Sequence, residues 1–454
     1  MKRLDRLTHK RVPGMAGRGR VLVIAIFLAI QTAAAHSSTV PDTLVLSMEE
    51  ALSVALARNV ATLTTGEAVT SQQAALNESR SAFLPTASAS GSYSDTWGEH
   101  DGGLADGGDA ALGVSITGSW TIWDGGGRWA DLSRQSAGLR RAEASLWRTK
   151  QSVLQSVIEA YLTLVEALHS LDSAEQSLQL ALATSERVSG LLNAGRATVS
   201  DVLRADVSVA QQRTALVRSR NEVDTARREL SDLLGGPPLI MVPVEPEFDP
   251  VTLLAAPLPD GAEESTPSVA IAEASLAQAR AATQGQKSRF LPRLSASATS
   301  SWSEQGGKLG EPNRRGSLAL GWSLFEGGAR CFALQGARAS ERSANWDLQD
   351  TRRQARSDLH QAVADMHAAE AQWEAAKQTV ALAEDSYAQE TELYNLGRAT
   401  SLEILTALDT LNESRREEIG SRYQILRAYA RLRAVRGTLN AAMFKGSHLQ
   451  PEAI

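Results

Sequence analysis

Asn193-Ala-Gly-Arg-Ala-Thr-Val-Ser-Asp201 and Asn395-Leu-Gly-Arg-Ala-Thr-Ser-Leu-Glu403 are two versions of one stretch, 202 residues apart. Each follows a long run of helical period and opens a second such run. A Gly at the end of a helix supplies the left-handed turn that closes it. A Thr with an acid three residues later is the capping box that opens the next helix. Thr198 with Asp201 and Thr400 with Glu403 fit that pattern. Each copy therefore reads as the tip of a long helical hairpin, and the chain carries two.

Working outward, the duplication holds over most of the chain. Ser47 to Arg80 has a helical stripe of Met48, Leu52, Val54, Ala55, Val60 and Leu63, and Phe83-Leu-Pro85 ends it. A second helical run, from about Pro267 to Ser288, ends in Phe290-Leu-Pro292. After each Phe-Leu-Pro the period changes to two. Leu112, Val114, Ile116, Trp120 and Ile122 alternate with Gly113, Ser115, Thr117, Ser119 and Thr121. Leu318, Leu320, Trp322 and Leu324 repeat the pattern, preceded by weaker strands around Ala87 to Tyr93 and Leu294 to Trp302. Gly-rich polar loops, Gly98 to Ala110 and Glu304 to Gly316, join each pair. The expected strand hairpins span 86–123 and 293–325, four strands in all.

Apolar/polar alternation of this length, with Trp and Tyr near the strand ends, fits a transmembrane β-barrel and equally a half-buried soluble sheet. Four strands cannot close a barrel, since the smallest closed ones need about eight. In lipid, several copies would have to share one, because unpaired edges cost several kcal/mol per group. The strands end at Trp123-Asp-Gly-Gly126 and Phe325-Glu-Gly-Gly328, again 202 residues apart. From Ile122 to Leu203 the second copy lies on the first without a gap, so helix length itself is held fixed. Helices are expected over 128–192 and 329–396, each ~100 Å long at ~1.5 Å per residue. Leu154, Val157, Tyr161, Leu164, Leu168 and Leu171 form the seam of the first by steps of three and four. Leu359, Val363, Met366 and Trp373 mark a face of the second. Return helices are expected over 199–234 and 401–439.

The chain thus divides into residues 1–35, a first repeat 36–235, a linker 236–266, a second repeat 267–440 and a tail 441–454. Gly235 to Pro267 holds eight of the fourteen prolines, which rules out a long helix there. Lys2, Arg3, Arg6, Lys10, Arg11, Arg18 and Arg20, the apolar run Val21 to Ile30, and Ala33-Ala-Ala35 make an export signal peptide. Cleavage there removes seven basic residues and one acid, moving the formal charge from −6 to −12. That acidity argues against nucleic acid as a partner. No later segment approaches the ~18 apolar residues of a membrane helix, so the exported chain is soluble or meets a membrane as strands.

No catalytic constellation is visible: no Gly-x-Ser-x-Gly and no Gly-rich phosphate loop after a strand. His360 and His367, with Asp358 and Asp365 near, read as a solvated helix face rather than a metal site. Asp101, Asp106 and Asp109 sit in a Gly-rich loop whose polar composition explains them without a Ca²⁺ ion. Cys331 is the only cysteine, and it reads as a small apolar side chain in a helix's first turn. No cofactor is expected and no enzyme.

The paired Phe-Leu-Pro, the paired strand-to-helix Gly-Gly and the paired Gly-Arg-Ala-Thr tips, in duplicated order, resemble the TolC family of outer-membrane efflux and secretion channels. The resemblance covers essentially the whole mature chain. It implies an α+β membrane protein: a homotrimer whose chains each give two β-hairpins to one twelve-stranded transmembrane barrel, continued by antiparallel helices as a periplasmic α-barrel. It implies a gate at the tips, with Tyr394 at a latch position, Ser200 and Asp201 at its partner positions, and Glu403 at an acidic ring. Three close carboxylates there would favour cations and resist full ionisation. The family's basic latch falls one place after Arg398, at Ala399, and Thr406 stands where some members have a second acid. Gly195, Arg196, Gly397 and Arg398 would meet a periplasmic adaptor that links to an inner-membrane pump of the RND or ABC type. Tyr93, Trp97, Trp120, Trp302 and Trp322 would sit at the membrane interfaces, against outer-membrane lipid. The function implied is a passive exit duct for small molecules, with protein secretion as the alternative. A periplasmic adaptor also has helical hairpins, but it needs β-rich flanking domains and lacks outward Trp and Leu faces.

Overall fold

The computed structural model describes residues 43–96, 109–236, 240–243, 265–305 and 308–440. Residues 1–35, most of the linker, the tail and Trp97 fall outside them, as do Asp101 and Asp106. In chain order the elements are β1 (Thr43–Leu46), α1 (Met48–Arg58), α2 (Val60–Ser81), β2 (Thr86–Thr96), β3 (Asp109–Trp123), α3 (Gly127–Asn193) and α4 (Val199–Leu234). Then follow β4 (Ile240–Pro243), α5 (Pro267–Ser288), β5 (Arg293–Gln305), β6 (Lys308–Leu309), β7 (Asn313–Gly321), α6 (Ala329–Asn395) and α7 (Ser401–Arg436). Matching helices have equal lengths: 67 residues in α3 and α6, 36 in α4 and α7, 22 in α2 and α5.

The sheet runs β2-β3-β5-β7, every neighbour antiparallel, with β6 a short addition to β5. Each hairpin has the same register: Thr86 pairs with Ser119 in the first and Arg293 with Gly321 in the second. The apolar face stays open, with Leu112, Ile116, Trp120, Leu318 and Leu320 all exposed. The polar face is laced by hydroxyl pairs: Thr86 with Ser119 at 2.8 Å, Ser90 with Ser115 at 2.9 Å, Thr117 with Thr299 at 3.2 Å and Ser297 with Ser317 at 2.8 Å. Among the described residues β2 and β7 each lack a neighbour on their outer side.

Four sequence expectations need correction. The second hairpin loop is shorter than Glu304 to Gly316, since β5 runs on to Gln305 and Asn313 to Gly316 already pair with Ser301 to Ala298. The first helix is broken at Asn59, whose carboxamide oxygen caps α2 through Ala61 N–H while its nitrogen donates to the Leu233 carbonyl. The break re-phases the stripe: Met48, Leu52 and Ala55 are buried but Val60 and Leu63 are not. The last strand stops at Gly321 rather than 325, because β5 begins at Arg293 and offers nothing further to pair with. The final helix ends at Arg436, not 439, closed by Gly437 in the left-handed conformation (φ 74°).

Beside each 67-residue helix two shorter ones stand end to end. The end of α4 meets the start of α2, where a Cβ on Gly235 would lie 3.4 Å from the Arg58 carbonyl oxygen. The end of α7 meets the start of α5, where Gly437 abuts Pro267. The main core lies at this level. It joins Leu52 of α1, Val157, Ile158, Tyr161 and Leu164 of α3, Leu230 of α4, Met366 of α6, and Tyr423 and Leu426 of α7. Leu154, Val157, Tyr161 and Leu164 are buried along the α3 seam, with Leu168 and Leu171 packed at its edge. Here β1 pairs in parallel with β4, bringing the linker back onto the first repeat, and Tyr161 donates to the Leu46 carbonyl at 2.9 Å. Gln151 is bonded both ways to Leu439.

Candidate channel gate and membrane seam

Both hairpin tips close in the same way. Gly195 (φ 70°) and Gly397 (φ 73°) take the left-handed conformation. Arg196 N–H then reaches the Leu191 carbonyl at 2.8 Å, and Arg398 N–H reaches that of Leu393 at 2.9 Å. Thr198 and Asp201 cap each other, as do Thr400 and Glu403. These bonds hold the Glu403 carboxyl below the usual range, the backbone bond from Thr400 being the larger cause.

The two tips touch. Ser401 Oγ donates to Asp201 Oδ1, tying the first turn of α7 to that of α4. With Thr198 donating from N at 2.9 Å and Oγ at 2.7 Å, this lowers the Asp201 pKa to about 2, with Ser401 the largest cause. Arg196 lies across Gly397, its Nη2 2.9 Å from where a Cβ would stand. Tyr394 is buried among Val188, Ala205, Ile404 and Leu405. Its hydroxyl has no hydrogen-bond partner, and burial, then the nearby Asp201 charge, pushes its pKa up. The Asp201 charge therefore reaches Tyr394 at the tip, while the hydrogen bond Asp201 accepts across the two hairpins comes from Ser401. Ser200, Arg398 and Glu403 are exposed beside them. Sequence reasoning missed Ser401. Its signal is that the repeats differ there, Val199 standing at the matching place.

At the other end, one junction is built twice. Trp120 donates its indole N–H to the Phe83 carbonyl at 3.0 Å, and Trp322 to that of Phe290 at 3.1 Å. Arg128 donates to the carbonyls of Ala82 and Ile122, both at 3.1 Å, with its guanidinium 4.9 Å from the Phe83 ring centre. Arg330 repeats this on Arg289 and Ser323, 5.5 Å from the Phe290 ring. Each arginine also pairs with the acid before the glycines, Asp124 at 3.4 Å and Glu326 at 3.5 Å. The arginines were missed too, although Asp124-Gly-Gly-Gly-Arg128 and Glu326-Gly-Gly-Ala-Arg330 carry them at equal spacing. Tyr93 is exposed and Trp302 half-buried on the apolar face.

His360 and His367 are exposed on α6, where Asp365 pairs with Arg431 and Asp358 accepts from Gln354. No cluster able to hold a metal, and no helix long and apolar enough to cross a membrane, occurs among the described residues. Cys331 is exposed in the first turn of α6.

The architecture has solved counterparts. The chain is similar to CusC, with a TM-score of 0.80 at 18% identity, covering 86% of this chain and 91% of that one. It is also similar to the outer membrane protein VceC of Vibrio cholerae (TM-score 0.74, 17% identity, 86% and 96% covered). Together these define an α+β membrane-channel fold in which two repeats each give a β-hairpin to a β-barrel and antiparallel helices to an α-barrel. The model of the outer membrane efflux protein family matches residues 51–236 and 258–438, and the chain belongs to that family. It is a protein of the cell outer membrane that extends into the periplasm. Among curated relatives it is similar to Protein CyaE of Bordetella pertussis, 25% identical over 303 residues, 65% of this chain and 63% of that protein. It is also similar to the alkaline protease secretion protein AprF of Pseudomonas aeruginosa, 24% identical over 257 residues, 55% and 53% covered. The matched regions span less than two thirds of either relative.

Proposed function

We propose that three copies of this chain form the passive outer-membrane exit duct of a tripartite efflux system. Small molecules such as drugs, toxic compounds or metal ions pass from an inner-membrane pump through the periplasm to the outside. One observation carries the reading: a four-stranded sheet with an apolar outer face and two open edges runs straight into helices ~100 Å long. Such a sheet is stable in lipid only if copies complete it. Three copies give twelve strands, and β7 of one copy meets β2 of the next antiparallel.

The tips serve as the gate. Tyr394, Ser200, Asp201 and Arg398 lie where the two hairpins of a chain touch, and Glu403, exposed, forms a carboxylate ring that favours cations. Gly195, Arg196, Gly397 and Arg398 present the docking surface for a periplasmic adaptor, which couples the duct to an RND- or ABC-type pump. The duct takes no cofactor and catalyses nothing.

A second reading, the outer-membrane component of type I protein secretion, is favoured by the relatives named for protease secretion. A deletion strain separates the two: loss of efflux raises dye accumulation and drug susceptibility, whereas loss of secretion leaves a protein inside the cell. The duct itself is tested with purified mature protein in planar bilayers, where stepwise conductance is expected. A water-soluble monomer without detergent, or a silent bilayer, overturns the reading.

A further inference from the structure

The duplication specifies how one copy meets the next, residue by residue. Phe83 and Phe290, which introduce β2 and β5, are 207 residues apart, and Trp120 and Trp322 of the β3 and β7 segments are 202 apart. Moved by these intervals, the β2/β3 register becomes the β5/β7 register: Thr86 opposite Ser119 becomes Arg293 opposite Gly321. The chain also contains one seam between repeats, β3 against β5, in which Trp120 faces Ala296, Ser115 faces Ser301 and, past a bulge, Trp123 faces Leu294. The outer edge of β7 is the equivalent of the β3 edge that β5 occupies, and among the described residues it has no occupant.

We infer that β2 of a second copy occupies it in the register of the β3/β5 seam. Leu318 then faces Tyr93, Trp322 faces Ala89, Ser317 faces Ser94 and Phe325 faces Ala87 of the neighbouring copy. The inference rests on the proposal that copies share one barrel.

The shift keeps the faces matched, and three observations not used to derive the register agree with it. Every apolar outward residue of β7 meets an outward residue of β2, whereas a slip of one would bury this face in the lumen. Trp322 meets an alanine, as Trp120 does in the internal seam. Gly125 shows what the seam requires: a Cβ there would lie 2.7 Å from Leu291 Cβ and 2.7 Å from the Ser288 carbonyl, both from the other repeat. Its counterpart Gly327 has the same left-handed conformation (φ 60°) and nothing within 4 Å. The counterpart of Leu291 is Leu84, which is 65% exposed. Finally, Ile122 and Trp123 are 39% and 43% exposed, while their counterparts Leu324 and Phe325 reach 77% and 85%. Residues 322–325 are the stretch that stops short of strand structure in the single chain, and pairing with Ala87 and its neighbours supplies the missing partner.

Disulfide trapping tests this in full-length protein carrying C331S, oxidised in native outer membranes. Directly opposed residues in an antiparallel pair have Cα atoms ~4.5–5.5 Å apart, within disulfide reach, and positions slipped by two or more are not. L318C with Y93C and, on the opposite face, S317C with S94C are expected to give covalent dimers and trimers on non-reducing gels. Both should exceed the slipped pair L318C with A89C by about tenfold. Equal or greater trapping of the slipped pair overturns the register, as does the absence of product in both matched pairs while detergent-extracted complexes keep the mass of a trimer. If the detergent-extracted protein has the mass of a monomer, the shared-barrel proposal itself fails.

Discussion

At the scale of single residues, the tip is decided by where one carboxylate sends its bonds. Asp201 accepts from Thr198 and from Ser401, so its charged form is bound in the folded tip. A depressed carboxyl stabilises fully above its unfolded value of 3.8 and loses that contribution as pH falls toward about 2. Amide exchange in the first turns of α4 and α7 should therefore quicken across that window. S401A removes the largest cause of the depression, so the lower end of the window should rise toward 3.8 and the pH-dependent part of the protection should shrink. Y394F should leave the width of the window near the wild-type value, since the hydroxyl it deletes is buried without a partner and no bond is lost. Exchange profiles that are identical in wild type and S401A would show that the tie to α7 does not hold the tip.

At the scale of elements, the strand-to-helix junctions transfer geometry from barrel to tunnel. Two consecutive left-handed glycines turn the chain, and an arginine two helical positions on pins strand end, helix end and Phe-Leu-Pro carbonyls together. Gly125 and Gly126 both have positive φ, but only Gly125 faces a neighbouring backbone. G126A should cost about 1–2 kcal/mol, the strain of a left-handed L residue. G125A should cost roughly a further 1–3 kcal/mol, because Leu291 and the Ser288 carbonyl must move. Thermal melts of the two variants in detergent give the comparison, and equal losses would mean the inter-repeat contact is soft. Legibility also ends at this scale. The glycine pair, the capping boxes and the seam from Leu154 to Leu164 could all be read from neighbours a few positions away. The break at Asn59 could not, because it depends on the Leu233 carbonyl 174 residues further on.

At the scale of the whole molecule, a chain whose apolar strand face lies outside its core needs lipid and copies of itself to be complete. Trp120 and Trp322 combine exposed rings with indole N–H groups satisfied by backbone, which suits the boundary between headgroups and acyl chains. In vesicles containing lipids brominated near the headgroup, intrinsic Trp fluorescence should be quenched. W120F combined with W322F should lower that quenching, with the other exposed tryptophans supplying the remainder, while the stepwise conductance persists. Quenching unchanged in the double variant would place these residues away from lipid.

The sequence by itself determined the duplication, both hairpin tips, the switch from helical to alternating period and the shortfall of strands. Each of these follows from residues within a turn or a strand of one another, or from the repeat interval. Only the tertiary structure decided that Ser401 donates to Asp201, that Arg128 and Arg330 clamp the junctions, and that the linker returns to pair with Thr43–Leu46. Those contacts join groups on separate elements or opposite sides of a turn. Which of several competent donors and acceptors meet there depends on how the long helices pack, and no local pattern records it.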